Sequence, residues 1–317
     1  MLDSIEVPVA LVGGWDDVIL DETLAHYRAL ADRGCDARLL VGPWTHTSTF
    51  DKGWPLVLPD ALRWLRAHLS GEPASRPEQP VRVYVSSSDQ WRDLPCWPPP
   101  ARTQVWYPGA GGTLTTQPPA QPGDSSFRYD PADPTPSAGG PVLSRQAGAV
   151  DNRRLEGRAD VLVFTSAPLT EAVEVIGPVS VRLRVRASSP YFDVFARLCD
   201  VDARGRSRNI CDGLQRHQAG PGSGATEDSA GESTITVAMS STAYRFAAGH
   251  RIRLQVCGGA HPRFARNTGT AEPAATATRL VPVHIQILHS PQSPCVLSLP
   301  QVTSLTSPEP RDRLAYA

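Results

Sequence analysis

The sequence predicts an α/β segment over residues 1–78 followed by an all-β sandwich over residues 79–317. Three observations carry this. Apolar, β-branched runs alternate with helix-period segments up to residue 71; proline, glycine and polar residues crowd into "SGEPASRPEQP" at 70–80; beyond it the apolar period drops from about 3.6 to about 2.

Taken in order, "IEVPVALVGGW" (5–15) has the composition of a strand buried on both faces. Asp21 is expected to cap a helix that puts Leu20, Leu24, Tyr27 and Ala31 on one face and stops at Gly34, a residue free to turn left-handed. "ARLLVGPW" (37–44) reads as a second buried strand. Pro59 in a first turn opens another helix, with Leu62, Leu65 and Leu69 as its stripe and Gly71 after it. This β-α-β-α order implies parallel strands joined by right-handed crossovers. Two strands and two helices cannot cover both faces of a sheet, so association or disorder is expected of residues 1–75.

From Val81 onward, short runs recur between turn clusters, among them "VRVYVS", "TQVWYP", "DVLVFTS", "VSVRLRVRA", "DVFARLCDVD", "STITVAMS", "HRIRLQVCG" and "VHIQILHS". Several alternate apolar residues with Arg, Thr or Gln, as strands with one wet face do. With no convincing helix and abundant Gly and Pro, the expected architecture is a two-sheet jelly roll. Residues 219–232 are expected to form a mobile loop, and the tail after about 303 to be loosely held.

Composition narrows the function. The 31 basic and 32 acidic side chains are interspersed, which argues against nucleic acid or a charged membrane surface as partner. No run reaches the roughly 20 apolar residues of a membrane span, and Met1 leads into no signal-like segment, so a soluble, cytoplasmic protein is expected. The cysteines (Cys35, Cys96, Cys199, Cys211, Cys257, Cys295) are scattered without C-x-x-C, and no paired histidines supply a half-site. Reduced thiols, no metal and no cofactor are expected.

Asp17 and His46 follow the first and second strands, where the functional groups of parallel sheets gather. A carboxylate and an imidazole on neighbouring strand-end loops can share an Nδ1–H···O bond that fixes the tautomer and stabilises the imidazolium during proton transfer. That is two thirds of a serine-hydrolase triad. In the α/β-hydrolase order the nucleophile comes first, on a G-x-S-x-G elbow. Only sixteen residues precede Asp17, and the chain holds no such motif. "GPGSGA" around Ser223 sits in a Pro/Gly loop, Ser4 precedes the first strand, and Thr45, Thr47 and Ser48 flank the histidine without an elbow. Asp16 competes with Asp17, since loop conformation decides which carboxylate faces His46. Trp15 and Trp44 read first as strand-end packing. His250, His261 and the polar turns "SSSDQWRD" and "DNRRLEGR" read as structural.

The pair "VPVALVGGWDDV" and "ARLLVGPWTHTSTF" resembles the CocE/NonD family of cocaine-esterase-like hydrolases and X-prolyl dipeptidyl-peptidases, with its G-W-[YFD]-D acid motif and G-P-W-[ST]-H histidine motif. Later segments, including "YDPADPTPSAGG" and "GPVSVRLRVRASSPYFDVFARLCDVDARGRS", are similar to the family's C-terminal jelly roll, of galactose-binding-like type, and the resemblance covers about residues 5–301. It implies the C-terminal fragment of an α/β-hydrolase domain (1–78) followed by a jelly-roll β-sandwich domain (79–317). It also implies Asp17 as catalytic acid, His46 as catalytic base, and an ester or X-Pro peptide as substrate. The family's serine strand, oxyanion donors and helical cap find no counterpart. The chain alone is therefore expected to be inactive, and to pair with a separate N-terminal fragment or with itself. The other reading is a non-catalytic jelly-roll binding module.

Overall fold

The computed structural model describes residues 2–71, 78–218, 226–227, 232–273 and 275–302. Ser223, most of the loop expected at 219–232, and the tail from 303 lie outside these residues.

Strands β1 (Val9–Asp16), β2 (Ala37–Thr45), β3 (Val81–Val85) and β4 (Gln90–Leu94) form one sheet in that order. The first three are parallel and β4 returns antiparallel. The strands just beyond the expected boundary at 78/79 thus extend the first sheet rather than opening the second. The alternation of "VRVYV" suits either sheet; the pairing that places it, Leu39 with Val81, is a long-range contact. The sheet therefore has four strands, not two, and residues 2–71 carry regular structure. Among the described residues β1 has a ladder partner on one side only.

β2 turns alternate residues to opposite faces. Leu39 and Val41 join Leu20, Leu24, Tyr27 and Leu30 of α1 (Leu20–Asp32), whereas Leu40 and Trp44 pack with Val57 of α2 (Trp54–Leu69). Both helices differ in detail from expectation. In α1 the capping position is Ile19, not Asp21, and Leu30 is buried in place of Ala31, which is exposed. Asp21 instead accepts a hydrogen bond from Ser240 Oγ at 2.9 Å. Gly34 does end the helix, at φ +77°. In α2 the helix starts at Trp54 with Pro55 in its first turn, and Pro59 lies inside it. Its buried residues are Val57, Asp60 and Trp64, while Leu58, Leu62, Leu65 and Leu69 are exposed. The reason is an ion pair: Arg38 on β2 donates through Nε and Nη2 to Asp60 at 3.0 and 2.6 Å, and this turns the polar-looking face of α2 inward.

The second body contains β5 (Arg102–Gly109), β6 (Thr113–Thr115), β7 (Gly123–Tyr129), β8 (Val161–Thr165), β9 (Val173–Ala187), β10 (Phe192–Val201), β11 (Ser207–His217), β12 (Thr226–Glu227), β13 (Ser233–Phe246), β14 (Arg251–Cys257), β15 (Val283–His289) and β16 (Val296–Gln301), with the single turn α3 (Arg153–Glu156). Pairing runs β11-β10-β14-β8-β6-β5-β16-β9-β13-β12, with β15 bridging β7 and β9. Inward residues from β9, β10, β13, β14, β15 and β16, such as Val181, Leu198, Val237, Leu254, Ile285 and Leu297, share one core and are fully removed from water. Burying each such side chain contributes about 1.5–3 kcal/mol.

The two bodies share a core rather than touching at a point. Ile176 of β9 and Ala243 of β13 belong to the same cluster as Trp15, Leu24 and Val83. Ser86 N–H donates to the Ala243 carbonyl at 2.9 Å, and Arg92 pairs with Glu174 at 3.3 Å. α1 and one face of the first sheet are thereby held against β13, so the carboxyl ends of β1 and β2 take a defined position on the second body, the β domain.

Candidate active site

The motif glycines make room for a tryptophan. A Cβ on Gly14 would lie 2.2 Å from the Trp44 carbonyl oxygen, and one on Gly42 would lie 2.6 Å from the Trp44 ring. Gly14 aligns with Gly42 but Asp16 with Thr45, so β2 carries one extra residue just before its end. That bulge decides which acid meets the histidine. Asp17 Oδ1 lies 2.9 Å from His46 Nδ1, whereas Asp16 turns toward the sandwich.

Asp17 is 6% exposed, and its Oδ1 also accepts the Ile19 N–H at 3.1 Å. The bond to Asp17 keeps the His46 proton on Nδ1 and leaves Nε2 as the basic nitrogen of the neutral ring. The His46 side chain is 40% exposed. The turn holding the histidine is tied internally: Thr45 N–H donates to Ser48 Oγ at 2.8 Å, and Thr49 Oγ1 donates to the Thr45 carbonyl at 3.1 Å. These hydroxyls serve the turn.

Among the described residues, no serine, threonine or cysteine hydrogen-bonds His46 Nε2. The six cysteines are free thiols. Burial pushes Cys199 and Cys257 up to about 12 and Cys295 up to about 11, so they stay protonated at neutral pH. No group of metal-binding side chains occurs among the described residues.

The remaining sequence candidates are structural. Trp15 is buried, donates Nε1–H to the Tyr84 carbonyl at 2.7 Å and packs on Trp97; Trp44 is buried under α2. The "SSSD" half of "SSSDQWRD" is the β3–β4 turn, with Ser87 at φ 71° and Asp89 at φ 52°, and "QWRD" lies in β4. His250 Nδ1 meets Asp200 Oδ2 at 2.9 Å, and Tyr244 OH donates to the same carboxylate at 2.8 Å. Sequence reasoning missed the pairing of Asp16 with the sandwich, because its partners lie more than a hundred residues away.

A carboxylate–imidazole pair thus stands at the carboxyl ends of adjacent parallel strands, beside a large β domain. The family described as X-Pro dipeptidyl-peptidase C-terminal non-catalytic domain matches residues 74–298, and that described as X-Pro dipeptidyl-peptidase (S15 family) matches residues 1–48. The chain belongs to this CocE/NonD-like X-Pro dipeptidyl-peptidase family. The cocaine esterase of Rhodococcus sp. (strain MB1 Bresler) is 34% identical over 300 residues, covering 85% of this chain and 51% of the esterase. An aminopeptidase from the marine sediment archaeon Thaumarchaeota archaeon has the same fold, with TM-score 0.83 at 21% identity, covering 94% of this chain and 56% of that one. A selenomethionine-labelled α-amino acid ester hydrolase gives 0.82 at 22%, covering 95% and 56%. The chain spans about half the length of the relatives it matches. No helix among the described residues is long and apolar enough to cross a membrane.

Proposed function

We propose that this chain is the acid- and histidine-bearing part of a serine hydrolase, with Asp17 as acid and His46 as general base. The observation that carries the reading is the 2.9 Å contact of His46 Nδ1 with Asp17 Oδ1 at the ends of adjacent parallel strands. In this mechanism a serine hydroxyl attacks a carbonyl, His46 Nε2 takes its proton and returns it to the leaving group, and Asp17 stabilises the imidazolium between the two transfers. The serine comes from α/β-hydrolase polypeptide outside this sequence, and the chain alone is inactive. The open side of β1 and the exposed leucines of α2 support an α/β partner there. Esters are favoured over aminoacyl-prolyl amides because the 34% identical relative is an esterase. Six free thiols support a cytoplasmic location.

A second reading has one observation in its favour: the family description matching residues 74–298 is of a non-catalytic domain. On that reading the strands from β5 onward form a jelly roll that binds or packs without chemistry.

The test co-expresses the chain with the half of the Rhodococcus cocaine esterase that it does not match, using p-nitrophenyl esters and aminoacyl-prolyl chromogenic amides. Ester hydrolysis is expected only from the pair, falling by about 10⁴–10⁶ with His46→Ala. Hydrolysis by the chain alone, unaffected by His46→Ala, overturns it.

A further inference from the structure

Asp16 and Thr45 are partners across β1 and β2, and they immediately precede Asp17 and His46. They form the last rung of the ladder before the relay. A glycine of the sandwich is seated on that rung: a Cβ built on Gly148 would lie 3.7 Å from Asp16 Oδ2 and 3.9 Å from Thr45 Cγ2. Gly148 is in turn bound to Gly140 by two backbone hydrogen bonds, of 2.8 and 3.0 Å. Gly140 lies on a buried ion cluster, where its Cβ would be 3.2 Å from Asp212 Oδ2, 3.3 Å from Arg263 Nη1 and 3.7 Å from Arg197 Nη2. Both glycines have positive φ, +74° and +93°, so the bridge keeps a shape that other residues adopt only with strain.

The cluster beneath is closely hydrogen-bonded. Arg197 donates through Nε and Nη2 to Asp212 Oδ2 at 3.1 and 2.8 Å, and through Nη1 to the Ala138 carbonyl and Asn152 Oδ1 at 2.6 and 2.8 Å. Arg263 holds the other Asp212 oxygen. The Arg197 and Asp212 side chains are each 1% exposed.

We propose that Asp16 is a positioning residue, which seats the last rung of the first sheet on the Gly140–Gly148 bridge and so fixes the approach of Asp17 to His46 from the sandwich. The consequence for catalysis rests on the relay reading above. The charged groups around this joint are Asp212 on β11, Arg197 on β10, Arg263 after β14 and, facing Arg263 from α1, Asp21. Burial, helped by Asp212 and opposed by Arg197 and Arg263, raises the Asp16 carboxyl to about 6. Arg197 and Arg263 both spend their charge on Asp212, so burial decides the balance at Asp16. The joint is therefore sensitive to protons near pH 6.

The test is NMR on the full chain from pH 5 to 8, following the Asp16 side-chain carboxyl carbon and the His46 Nδ1 proton in the native protein, Asp16→Asn, Asp17→Asn and Gly148→Ala. In the native chain the Nδ1 resonance is expected to move with the Asp16 titration near pH 6. That component should vanish in Asp16→Asn, and the resonance should be displaced at every pH in Gly148→Ala. A native Nδ1 resonance that ignores the Asp16 titration, or that is the same in Asp16→Asn, overturns the proposal. If Asp17→Asn displaces the resonance while Asp16→Asn does not, the positioning role alone fails. If Asp17→Asn leaves it in place, the relay reading fails and the positioning role with it.

Discussion

Removing the Asp60 carboxylate is expected to cost about 3–5 kcal/mol, because it strands a buried guanidinium. The Arg38 and Asp60 side chains are 6% and 10% exposed. Burial lowers the Arg38 pKa from its ordinary value, Asp60 opposes that, and Arg63 and Arg82 add to the lowering. In Asp60→Ala the lowering remains and the opposition goes. Two charge-assisted bonds, at 3.0 and 2.6 Å, are lost, and at about 1.5–3 kcal/mol each they give about 3–6 kcal/mol, which overlaps that range. The third contact, Arg63 at 3.3 Å, comes from a side chain 57% exposed and adds little. The assay is urea unfolding followed by tryptophan fluorescence, since Trp44 and Trp64 are buried around α2. Arg38→Met with Asp60→Leu replaces both charges by apolar groups and should recover most of the loss. A loss below about 1 kcal/mol in Asp60→Ala, or a double variant as unstable as the single one, refutes the reasoning.

Three further outcomes are expected. Leu62→Ala and Leu65→Ala, at positions 44% and 48% exposed, should each cost less than about 1 kcal/mol in the same assay, whereas Trp64→Ala, at 7%, should cost about 3–5; equal losses would restore the leucine stripe as the core face. Gly14→Ala pushes a methyl into the Trp44 carbonyl 2.2 Å away and should cost at least about 1–3 kcal/mol, and a neutral effect would refute the close approach. The raised Asp16 pKa favours its neutral form in the folded chain, so its contribution is full below about 4 and is lost as pH rises through about 6. Asp16→Asn should therefore gain on the native protein between pH 4 and 7 in urea unfolding, and the opposite trend would contradict the burial argument.

Local patterns in the sequence reach some features and not others. The strands ending at Asp16 and Thr45 and the stop at Gly34 follow from composition and glycine, because each depends on residues close in the chain. The contact of Asp17 with His46 could be anticipated, because both residues directly follow neighbouring strands. The choice between Asp16 and Asp17 could not, since it depends on a bulge near Trp44, which packs against Gly14 of the neighbouring strand and Gly42 of its own. β11 escaped notice because Asn209, Asp212 and Arg216 make it look like a loop; those charges are tolerated in a strand because Arg197, Arg263 and Asp193 answer them. α2 was assigned the wrong inner face for the same reason. Hydrophobic spacing picks out the leucines, while a partner on β2 draws Asp60 inward.

The placement of β3 and β4 bears on how the chain can be divided. A protease that nicks the backbone between residues 71 and 78 would yield two fragments still laced together through the Leu39–Val81 ladder and the cluster around Trp15 and Val83. They would comigrate until denatured. A stand-alone sandwich would have to begin after Leu94, because starting at residue 79 carries along two strands whose only sheet has been left behind.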